Sequence, residues 1–592
     1  MKQFFKFMFA SFLGTILTIV VVFLVFAGMI ASLVAMSGDE EVKVKDHSIL
    51  HITWNTEIND RSNDNPFEGF DFATMQSKKP LGLYSILNNI DKASKDSRID
   101  GIFLDMESIP AGTATSEEIR NKLLEFKESG KFIISYANGY DQKAYYMASL
   151  SDEIYLNAEG MILFKGLHAQ LMFFKGLLDK MDIDMQIVRG PNNKYKSAVE
   201  PLMRKHISEA SREQMEELLN SLWVKQITSI SKSRGISIED LTEIADELEL
   251  TTAEKAVDYK FVDAAIYRDE LIQILKDKTE RKEDEKLNIV SFGKYQKAKL
   301  TDKKGLKRNQ IAIVFAEGDI VQGKGDGQNI GSKTIAKAIS KARNDDKVKA
   351  IVLRVNSPGG DALASEIIRR EVELASNDKP IIVSMGNLAA SGGYWISTSA
   401  DYIFAQPTTI TGSIGVFGII PNFGELFNKK LGINMDDIMT NKNSDFIDVM
   451  KPLSPFQHAK LDESVTRIYN DFTQLVARTR NLDIDYVDSI ARGRVWSGVD
   501  AKGIGLIDDF GGIEDAVAYA AEKADLGDNY RITIYPQRKE FIEQLIEELT
   551  GQATLSIVKN ELGEYYSYYE NIQTLKTMKG VQARLPFFMV IN

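Results

Sequence analysis

The chain contains an internal duplication, and this repeat constrains the fold more than any other feature of the sequence. Residues 86–166 align without a gap on residues 335–415, at a constant offset of 249. The match continues with small gaps, since Pro201 pairs with Pro452 at an offset of 251. Two homologous units therefore follow one another along the chain. Identical pairs include Ile86/Ile335, Lys92/Lys341, Leu104/Leu353, Ser108/Ser357, Tyr145/Tyr394 and Asp152/Asp401.

The repeat divides the chain into four predicted segments, as expected for 592 residues, which are too many for one compact core. They are a short cytoplasmic end with a membrane anchor (1–46), a first unit with its linker (47–304), a second unit (305–525) and a C-terminal extension (526–592). The charged stretch 276–286 is typical of a solvated linker or an exposed helix end. The extension has a strand-like stretch over 530–535 and then a helical, acidic segment, for which no function is predicted.

Each unit has an α/β pattern. Residues 350–355 and 380–385 are short, β-branched apolar runs of the kind found in buried parallel strands. Residues 362–375 between them have helical spacing, so strand, helix and strand form a βαβ unit. The apolar residues available for the buried face of this helix are Leu363, Ile367, Ile368, Val372 and Leu374.

The amino terminus predicts a single membrane-spanning helix. Residues 7–38 carry no charge, and about 20 apolar residues suffice to cross the hydrocarbon core of a bilayer. Lys2 and Lys6 precede this run and three acidic residues follow it, so the short amino end is expected in the cytoplasm and the rest outside. Residues 7–38 would contact membrane lipid. The alternative is a cleaved signal peptide, for which residues 32–35 offer small side chains.

Composition excludes several kinds of site. The chain has no cysteine, so it has no thiolate nucleophile, disulfide or Cys-based metal site. Its five histidines are scattered without a metal-ligand spacing, although a Ser-His-Asp triad remains open because triads assemble in space. The net charge of −12 gives no general attraction for nucleic acid. No metal or cofactor is expected.

Two glycine-containing turns follow predicted strands in the second unit. The turn over 356–361 contains Gly359 and Gly360, and amides at such a strand-to-helix turn can form an oxyanion hole. The alternative is an ordinary tight turn. In the turn over 389–394, Ser391 is flanked by small residues that leave its hydroxyl accessible as a nucleophile. The alternative for this serine is a helix cap.

The repeat favours a catalytic role over a structural one for both turns. In the first unit Gly359, Gly360 and Ser391 are replaced by Pro110, Ala111 and Gln142, although the surrounding framework persists. Lys196 shows the inverse pattern, since it lies opposite Ile447 of the second unit. One active site divided between the two copies would leave this reciprocal pattern. A buried Lys196 would be deprotonated more readily than free lysine and could take the proton of Ser391, whereas an exposed one would be mere surface charge.

Four motifs resemble the signal peptide peptidase A (protease IV) family in its long, two-repeat bacterial form. They are NLAASGGYW around Ser391, YKSAVEP around Lys196, SPGGDALAS from Ser357 and TGSIGVFG from Thr411. The resemblance implies tandem Clp-protease/crotonase-like repeats, a Ser391–Lys196 dyad, oxyanion amides from Gly360 and Gly392, and a Ser413 that orients the lysine.

The resemblance further implies a homo-oligomer, a bowl-shaped tetramer, that degrades signal peptides. It would be anchored in the bacterial inner membrane with its catalytic part in the periplasm. Two alternatives stay open: an acyl-CoA enzyme of the crotonase type, and a catalytically inactive membrane scaffold. Neither the cleavage specificity nor the chain that supplies Lys196 to a given Ser391 follows from the sequence.

Overall fold

The computed structural model describes residues 2–36, 42–62, 70–71, 76–77, 80–190, 192–299, 307–325, 329–537, 580–585 and 590–591. The amino-terminal helix spans Lys2–Met36. Its segment Gln3–Leu24 has a mean hydropathy of 2.5 and is not buried by any of the described residues, so by length and composition it could cross a membrane.

A six-stranded, fully parallel sheet forms the centre of the first unit. Its strands carry near-continuous apolar runs because helices cover both faces, as the sequence pattern predicts. Flanking helices include Leu83–Lys95, Thr113–Lys127 and Gln142–Ala148. The strands, in spatial order, are Ala264–Ala265, Glu153–Leu156, Phe132–Ala137, Ile99–Asp105, Ser48–Ile52 and Asn288–Ser291.

The second unit repeats this arrangement, which confirms the prediction of tandem α/β repeats. Its main path is parallel except for the edge strand Val495–Ser497, which is antiparallel to its neighbour. Tyr402–Ala405 and Asp509–Phe510 branch from this path. The main path, in spatial order, is Val495–Ser497, Ile410–Gly412, Ile381–Ala390, Val348–Ser357, Gln310–Glu317 and Arg531–Tyr535.

The two units share a hydrophobic core. Ile102 of the first sheet and Val352 of the second belong to one cluster of buried side chains, together with one face of the helix Ile513–Lys523. Packing of this kind excludes water from both sheets and fixes the relative position of the units.

A third sheet connects the units and contributes to the candidate site. Asp184–Val188 of the first unit pairs antiparallel with Phe417–Asn422 of the second. Beyond it, the C-terminal strand Gly580–Arg584 lies between Phe417–Asn422 and the short strand Gly359–Asp361. Ile320–Val321 and Ile330–Gly331 complete this sheet. This sheet therefore links the strand Asp184–Val188 of the first unit to the glycine turn of the second.

The helix Ala362–Ser376 corrects one expectation. Leu363 and Ile367 were predicted on its buried face, but they are 59% and 40% exposed, and Leu374 is only half-buried. Asp361 caps the helix by accepting a hydrogen bond from the Ala364 amide. Ile368 and Val372 are buried as predicted, and small residues take up much of the rest of the buried face. The buried residues of the helix are Ala362, Ala364, Ser365, Ile368, Arg369, Val372 and Ala375.

The remaining elements are further helices and short strand pairs. The helix Arg268–Lys278 ends inside the predicted linker, and the acidic helix predicted after residue 535 lies outside the described residues. The other helices are Lys175–Lys180, Glu200–Met203, Glu209–Arg234, Ile238–Asp246, Ala253–Asp258, Phe292–Tyr295, Ser332–Asn344, Gly392–Ser397, Leu426–Lys430, Pro455–Arg480, Ile484–Ile490 and Gly498–Gly503, with a 3₁₀ turn at Ser197–Val199. The short pairs are Ile58–Asn59 with Leu81–Gly82, Phe70–Asp71 with Gln76–Ser77, and Ala169–Gln170 with Val590–Ile591.

Candidate active site

Ser391 lies in a sharp turn between the strand Ile381–Ala390 and the helix Gly392–Ser397. Its backbone has φ 56° and ψ −111°, a sparsely populated conformation for a residue with a side chain. The Ser391 amide donates to the Gly412 carbonyl at 2.8 Å, which holds the turn. Its side chain is fully buried and makes no capping bond to the helix. Ser391 thus occupies the N-cap position of this helix, but its hydroxyl does not cap it.

Lys196 of the first unit is also fully buried, so it is not a surface charge. Its Nζ lies 2.8 Å from the Ser391 Oγ. The same nitrogen lies 2.9 Å from both the carbonyl oxygen and the hydroxyl of Ser413. Burial lowers the pKa of Lys196 well below its ordinary value, because the charged ammonium loses its hydration. Among the described residues, no histidine is bonded to Ser391, whose other partner is the Gly415 carbonyl at 3.3 Å.

Ser413 follows the strand Ile410–Gly412 in a left-handed conformation, with φ 50°. Its amide donates to the Arg494 carbonyl at 2.7 Å. This backbone bond fixes the turn, and the turn presents both Ser413 oxygens to the lysine. The predicted partners Ser391, Lys196 and Ser413 thus meet within hydrogen-bonding distance.

Gly359, Gly360 and Gly392 converge beside Ser391. A β-carbon on Gly392 would lie 3.1 Å from the Gly360 amide nitrogen, and one on Gly360 would lie 2.1 Å from the Ile320 carbonyl oxygen. The φ angles of Gly359 and Gly360 are 98° and 156°. Only glycine fits this close approach of two backbone segments, and it leaves amides available at the site.

Both units match a known family of peptidases. The model of peptidase family S49 matches residues 125–282 and 373–527, one segment in each unit. Protease 4 of Salmonella typhi is 38% identical over 483 residues, which cover 79% of this chain and 76% of that protein. The chain belongs to peptidase family S49. This result confirms the resemblance drawn from the motifs, and the enzyme is a serine protease.

Other relatives agree with this assignment. The chloroplastic serine protease SPPA of Arabidopsis thaliana is 34% identical and covers 86% of this chain and 75% of that protein. A putative signal peptide peptidase SppA of Enterococcus faecium is 32% identical over 251 residues, which cover 41% of this chain and 72% of that one. Among solved structures, ClpP1 of Listeria monocytogenes matches with a TM-score of 0.23 and 15% identity, covering 34% of this chain and 92% of that one.

In this S49 peptidase, the loop around Lys196 (residues 193–197, the lysine loop) is held by the segment 492–494. Sequence reasoning missed this segment. The Tyr195 amide donates to the Arg492 carbonyl, and the Gly493 amide donates to the Ile414 carbonyl. Gly493 has φ 82°, and a β-carbon there would lie 2.5 Å from the Lys196 β-carbon. An isolated glycine ahead of a short strand is too common a pattern to have predicted this contact.

Gln214 holds the same loop from the other side and was also missed. Its side-chain amide donates to the Tyr195 carbonyl at 2.9 Å and to the Ser197 hydroxyl at 3.2 Å. Its side-chain oxygen accepts from the Val495 amide of the second unit at 3.3 Å. A lone glutamine within a long helix carries no sequence signal for such a role.

The C-terminal strand Gly580–Arg584 lies between Phe417–Asn422 and Gly359–Asp361, next to the glycines beside Ser391. A cavity of about 640 Å³ opens beside this strand, and Val581 forms part of its wall. The cavity is mainly apolar, with Val188, Ile419, Phe446, Ile447 and Phe456 among its lining residues. Nothing in the composition of the C-terminal extension predicted that it returns to the site.

Proposed function

We propose that this S49 serine protease cleaves peptide bonds with Ser391 as nucleophile and Lys196 as general base. The observation that carries the proposal is the 2.8 Å separation of Lys196 Nζ and Ser391 Oγ inside a buried site. Burial favours the neutral amine, which has the free electron pair that a base needs.

The hydrogen bonds around Lys196 agree with a neutral amine. Its two N–H groups match the two acceptors of Ser413, the carbonyl oxygen and the hydroxyl oxygen. The electron pair then faces Ser391 and can accept its hydroxyl proton. Ser413 acts in this scheme as a positioning residue that directs the electron pair of the lysine.

The amides of Gly360 and Gly392 are proposed to stabilise the negative charge on the carbonyl oxygen of the substrate. Both belong to backbone segments that approach each other next to Ser391. Donors held in place before the reaction stabilise the tetrahedral intermediate without a cost of reorganisation. After acyl transfer, Lys196 returns its proton to the leaving amine, and water then releases the acyl group.

Signal peptides left in the membrane are the proposed substrates. They are extended, apolar peptides, and an apolar cavity opens beside the strand Gly580–Arg584, which pairs with the glycine turn of the site. The apolar helix Lys2–Met36 is proposed to anchor the enzyme in the bacterial inner membrane, with Lys2 and Lys6 cytoplasmic and the catalytic part periplasmic. A relative described as a putative signal peptide peptidase supports this substrate class.

Assembly into a homo-oligomer, a tetramer, is also proposed. The segment after the strand Phe417–Asn422 exposes several large apolar side chains, which a neighbouring subunit would shield from water. They are Leu431, Ile433, Met435, Ile438, Met439, Phe446 and Ile447. Neither alternative from the sequence, an acyl-CoA enzyme or an inactive scaffold, accounts for an S49 peptidase with a bonded Ser391–Lys196 pair.

The decisive experiment measures hydrolysis of a fluorogenic peptide by detergent-solubilised enzyme. Ser391→Ala and Lys196→Ala should each lower kcat by at least about 10⁴-fold, because each removes a member of a unit that acts together. Lys194→Ala is the matched control, since that lysine lies two residues away with its side chain 56% exposed. It should keep wild-type activity. Full activity of either dyad variant would refute the proposed mechanism.

The pH dependence gives a second readout. Activity should rise with pH through the pKa of Lys196, which burial places below the ordinary value of lysine. Ser413→Ala removes one of the two acceptors that orient the amine, so it should lower kcat by about tenfold, less than the loss of either dyad residue. An unchanged rate in Ser413→Ala would remove that residue from the mechanism.

A further inference from the structure

The side chain of Arg494 lies between the rings of Tyr195 and Trp496. The centre of its guanidinium is 4.8 Å from the centroid of the Tyr195 ring and 4.6 Å from that of the Trp496 ring. A cation over an aromatic face is attracted by the ring, and the planar guanidinium of arginine stacks on such faces. Because the Arg494 side chain is only 13% exposed, water screens little of this attraction. The three side chains therefore form one stack.

One end of this stack leads to the proposed base. Tyr195 is buried and directly precedes Lys196 in the lysine loop. Its hydroxyl donates to a carboxylate oxygen of Glu213 at 3.1 Å, and the guanidinium of Arg494 donates to the same oxygen at 3.3 Å. Arg494 also pairs with Glu217, one turn further along the same helix of the first unit. The stack and this helix thus clamp the residue next to the base.

The other end of the stack leads to the proposed nucleophile. The indole N–H of Trp496 donates to the Ile490 carbonyl at 3.0 Å, which fixes the ring. This ring packs on Gly412, where a β-carbon would lie only 2.7 Å from it. The Gly412 carbonyl in turn accepts the hydrogen bond of the Ser391 amide. The stack therefore connects the loop that carries the base with the strand that supports the nucleophile.

The backbone of Arg494 makes a further contact beside the base. Its carbonyl oxygen accepts the hydrogen bond of the Ser413 amide at 2.7 Å, and Ser413 supplies two acceptors to the Lys196 amine. The main chain of Arg494 thus fixes the residue that orients Lys196, and its side chain fixes the residue that precedes Lys196. A shift of either neighbour would change the 2.8 Å separation of Lys196 Nζ and Ser391 Oγ.

We infer that Arg494 is a positioning residue of this protease, whose stacked guanidinium holds the lysine loop of the first unit against the strand Ile410–Gly412 of the second. This inference rests on the proposed dyad. Arg494 acts through its neighbours and not on the reacting atoms. Burial is what lowers the pKa of Lys196, so a looser stack that admits water should raise that pKa. Loss of the guanidinium should therefore change the pH dependence as well as the rate.

The test measures kcat, KM and the pH–rate profile for hydrolysis of a fluorogenic peptide by the full-length enzyme. Arg494→Ala should lower kcat by about 30-fold and leave KM within about twofold, because a displaced base spoils proton transfer without disturbing substrate binding. The rise of activity with pH should move upward by about one pH unit, since the Lys196 amine becomes better hydrated. Arg494→Lys keeps the charge but not the planar stacking group, so its kcat and profile should lie between those of Arg494→Ala and wild type.

Arg268→Ala is the matched control. The guanidinium of Arg268 also lies between two rings, 5.4 Å from the centroid of Phe103 and 5.3 Å from that of Tyr136, and it pairs with Asp105. These residues have no part in the proposed mechanism, so the variant should keep wild-type kcat and the wild-type pH profile. Added guanidinium ion, at millimolar concentration, should raise the kcat of Arg494→Ala several-fold by refilling the stack, and should not change that of the control.

Wild-type kcat and pH profile in Arg494→Ala or in Arg494→Lys would overturn the inference, and so would a loss confined to KM. Equal losses in Arg494→Ala and Arg268→Ala would assign the effect to a general loosening of the fold and overturn it as well. If Arg494→Ala does not fold, Arg494→Lys decides.

The outcomes also separate this inference from the proposed function. If Ser391→Ala and Lys196→Ala are inactive while both Arg494 variants behave as wild type, the dyad stands and only the positioning role is refuted. If the two dyad variants keep full activity, the proposed function fails, and the positioning role fails with it.

Discussion

The two repeats use the same framework, but only the second places a serine, Ser391, against the buried lysine that the first one supplies. In both, an aspartate accepts a hydrogen bond from a backbone amide at the start of the neighbouring strand: Asp152 from Ile133, and Asp401 from Ile381, each at 2.8 Å. A buried tyrosine hydroxyl donates to a backbone carbonyl in both, Tyr145 at 3.0 Å and Tyr394 at 2.8 Å. These bonds define the fold and have no part in the chemistry.

The copies diverge where the second one places Ser391. Its counterpart Gln142 accepts hydrogen bonds from the Lys165 and Gly166 amides at 3.1 and 3.0 Å. In the second copy Ser391 instead faces the Gly415 carbonyl and Lys196. Gln142 thus stabilises the loop whose counterpart in the second copy faces Ser391. One copy became a support, and it supplies its lysine to the other.

Exchanging the residues that distinguish the copies should give the largest effect. Ser391→Gln removes the nucleophile and should lower kcat by at least about 10⁴-fold. Gln142→Ser, the reverse change in the first copy, should leave peptide hydrolysis within about twofold, because that copy has Pro110 and Ala111 in place of the glycine turn. Steady-state kinetics on one fluorogenic peptide measures both. If the double variant Ser391→Gln/Gln142→Ser hydrolysed the peptide, the assignment of the nucleophile to the second copy alone would be refuted.

A smaller effect on kcat is expected at Gly493, where the second copy contacts Lys196 of the first copy. Gly493→Ala places a β-carbon against Lys196 and should lower kcat by about 100-fold, with little change in KM, because a small displacement of the base spoils proton transfer. The pH–rate profile should shift with it, since the environment of the amine changes.

Gly505→Ala is the matched control for that variant. Gly505 has almost the same φ, 81°, but a β-carbon there meets only the Leu482 side chain at 3.5 Å. It carries the backbone strain without touching the lysine loop, and should keep wild-type kcat and the wild-type pH profile. Equal losses in both variants would assign the effect of Gly493 to backbone strain alone.

Sequence reasoning reached the framework and the dyad residues by different routes. The strand runs and their repeat predicted the tandem α/β units, because burial imposes a periodic pattern that survives in both copies. Ser391 and Lys196 followed from the differences between the copies. Gly493 and Gln214 could not be predicted in this way, since their contacts join segments far apart in sequence and leave no local pattern. On the helix Ala362–Ser376, Ile368 and Val372 are buried as predicted, but Leu363 and Ile367 are exposed, because the small residues Ala364 and Ser365 face the core there instead.

The smallest expected effect concerns stability and again separates the reactive half-site from the framework. Burial lowers the pKa of Lys196, so between its folded pKa and about 10.4 the unfolded chain binds a proton that the folded chain does not. Stability contributed by this group therefore rises with pH across that window.

Lys196→Met removes the free-energy cost of burying this amine. The melting temperature of the variant should therefore exceed that of wild type at pH 7, and the difference should shrink towards pH 10. Lys379→Met is the framework control: its Nζ donates to the Ala342 and Asp345 carbonyls at 3.2 and 2.7 Å, so this variant should melt below wild type. If Lys196→Met melted below wild type at pH 7 as well, the lysine would be a structural residue, and the comparison between a strained active half-site and a stable frame would fail.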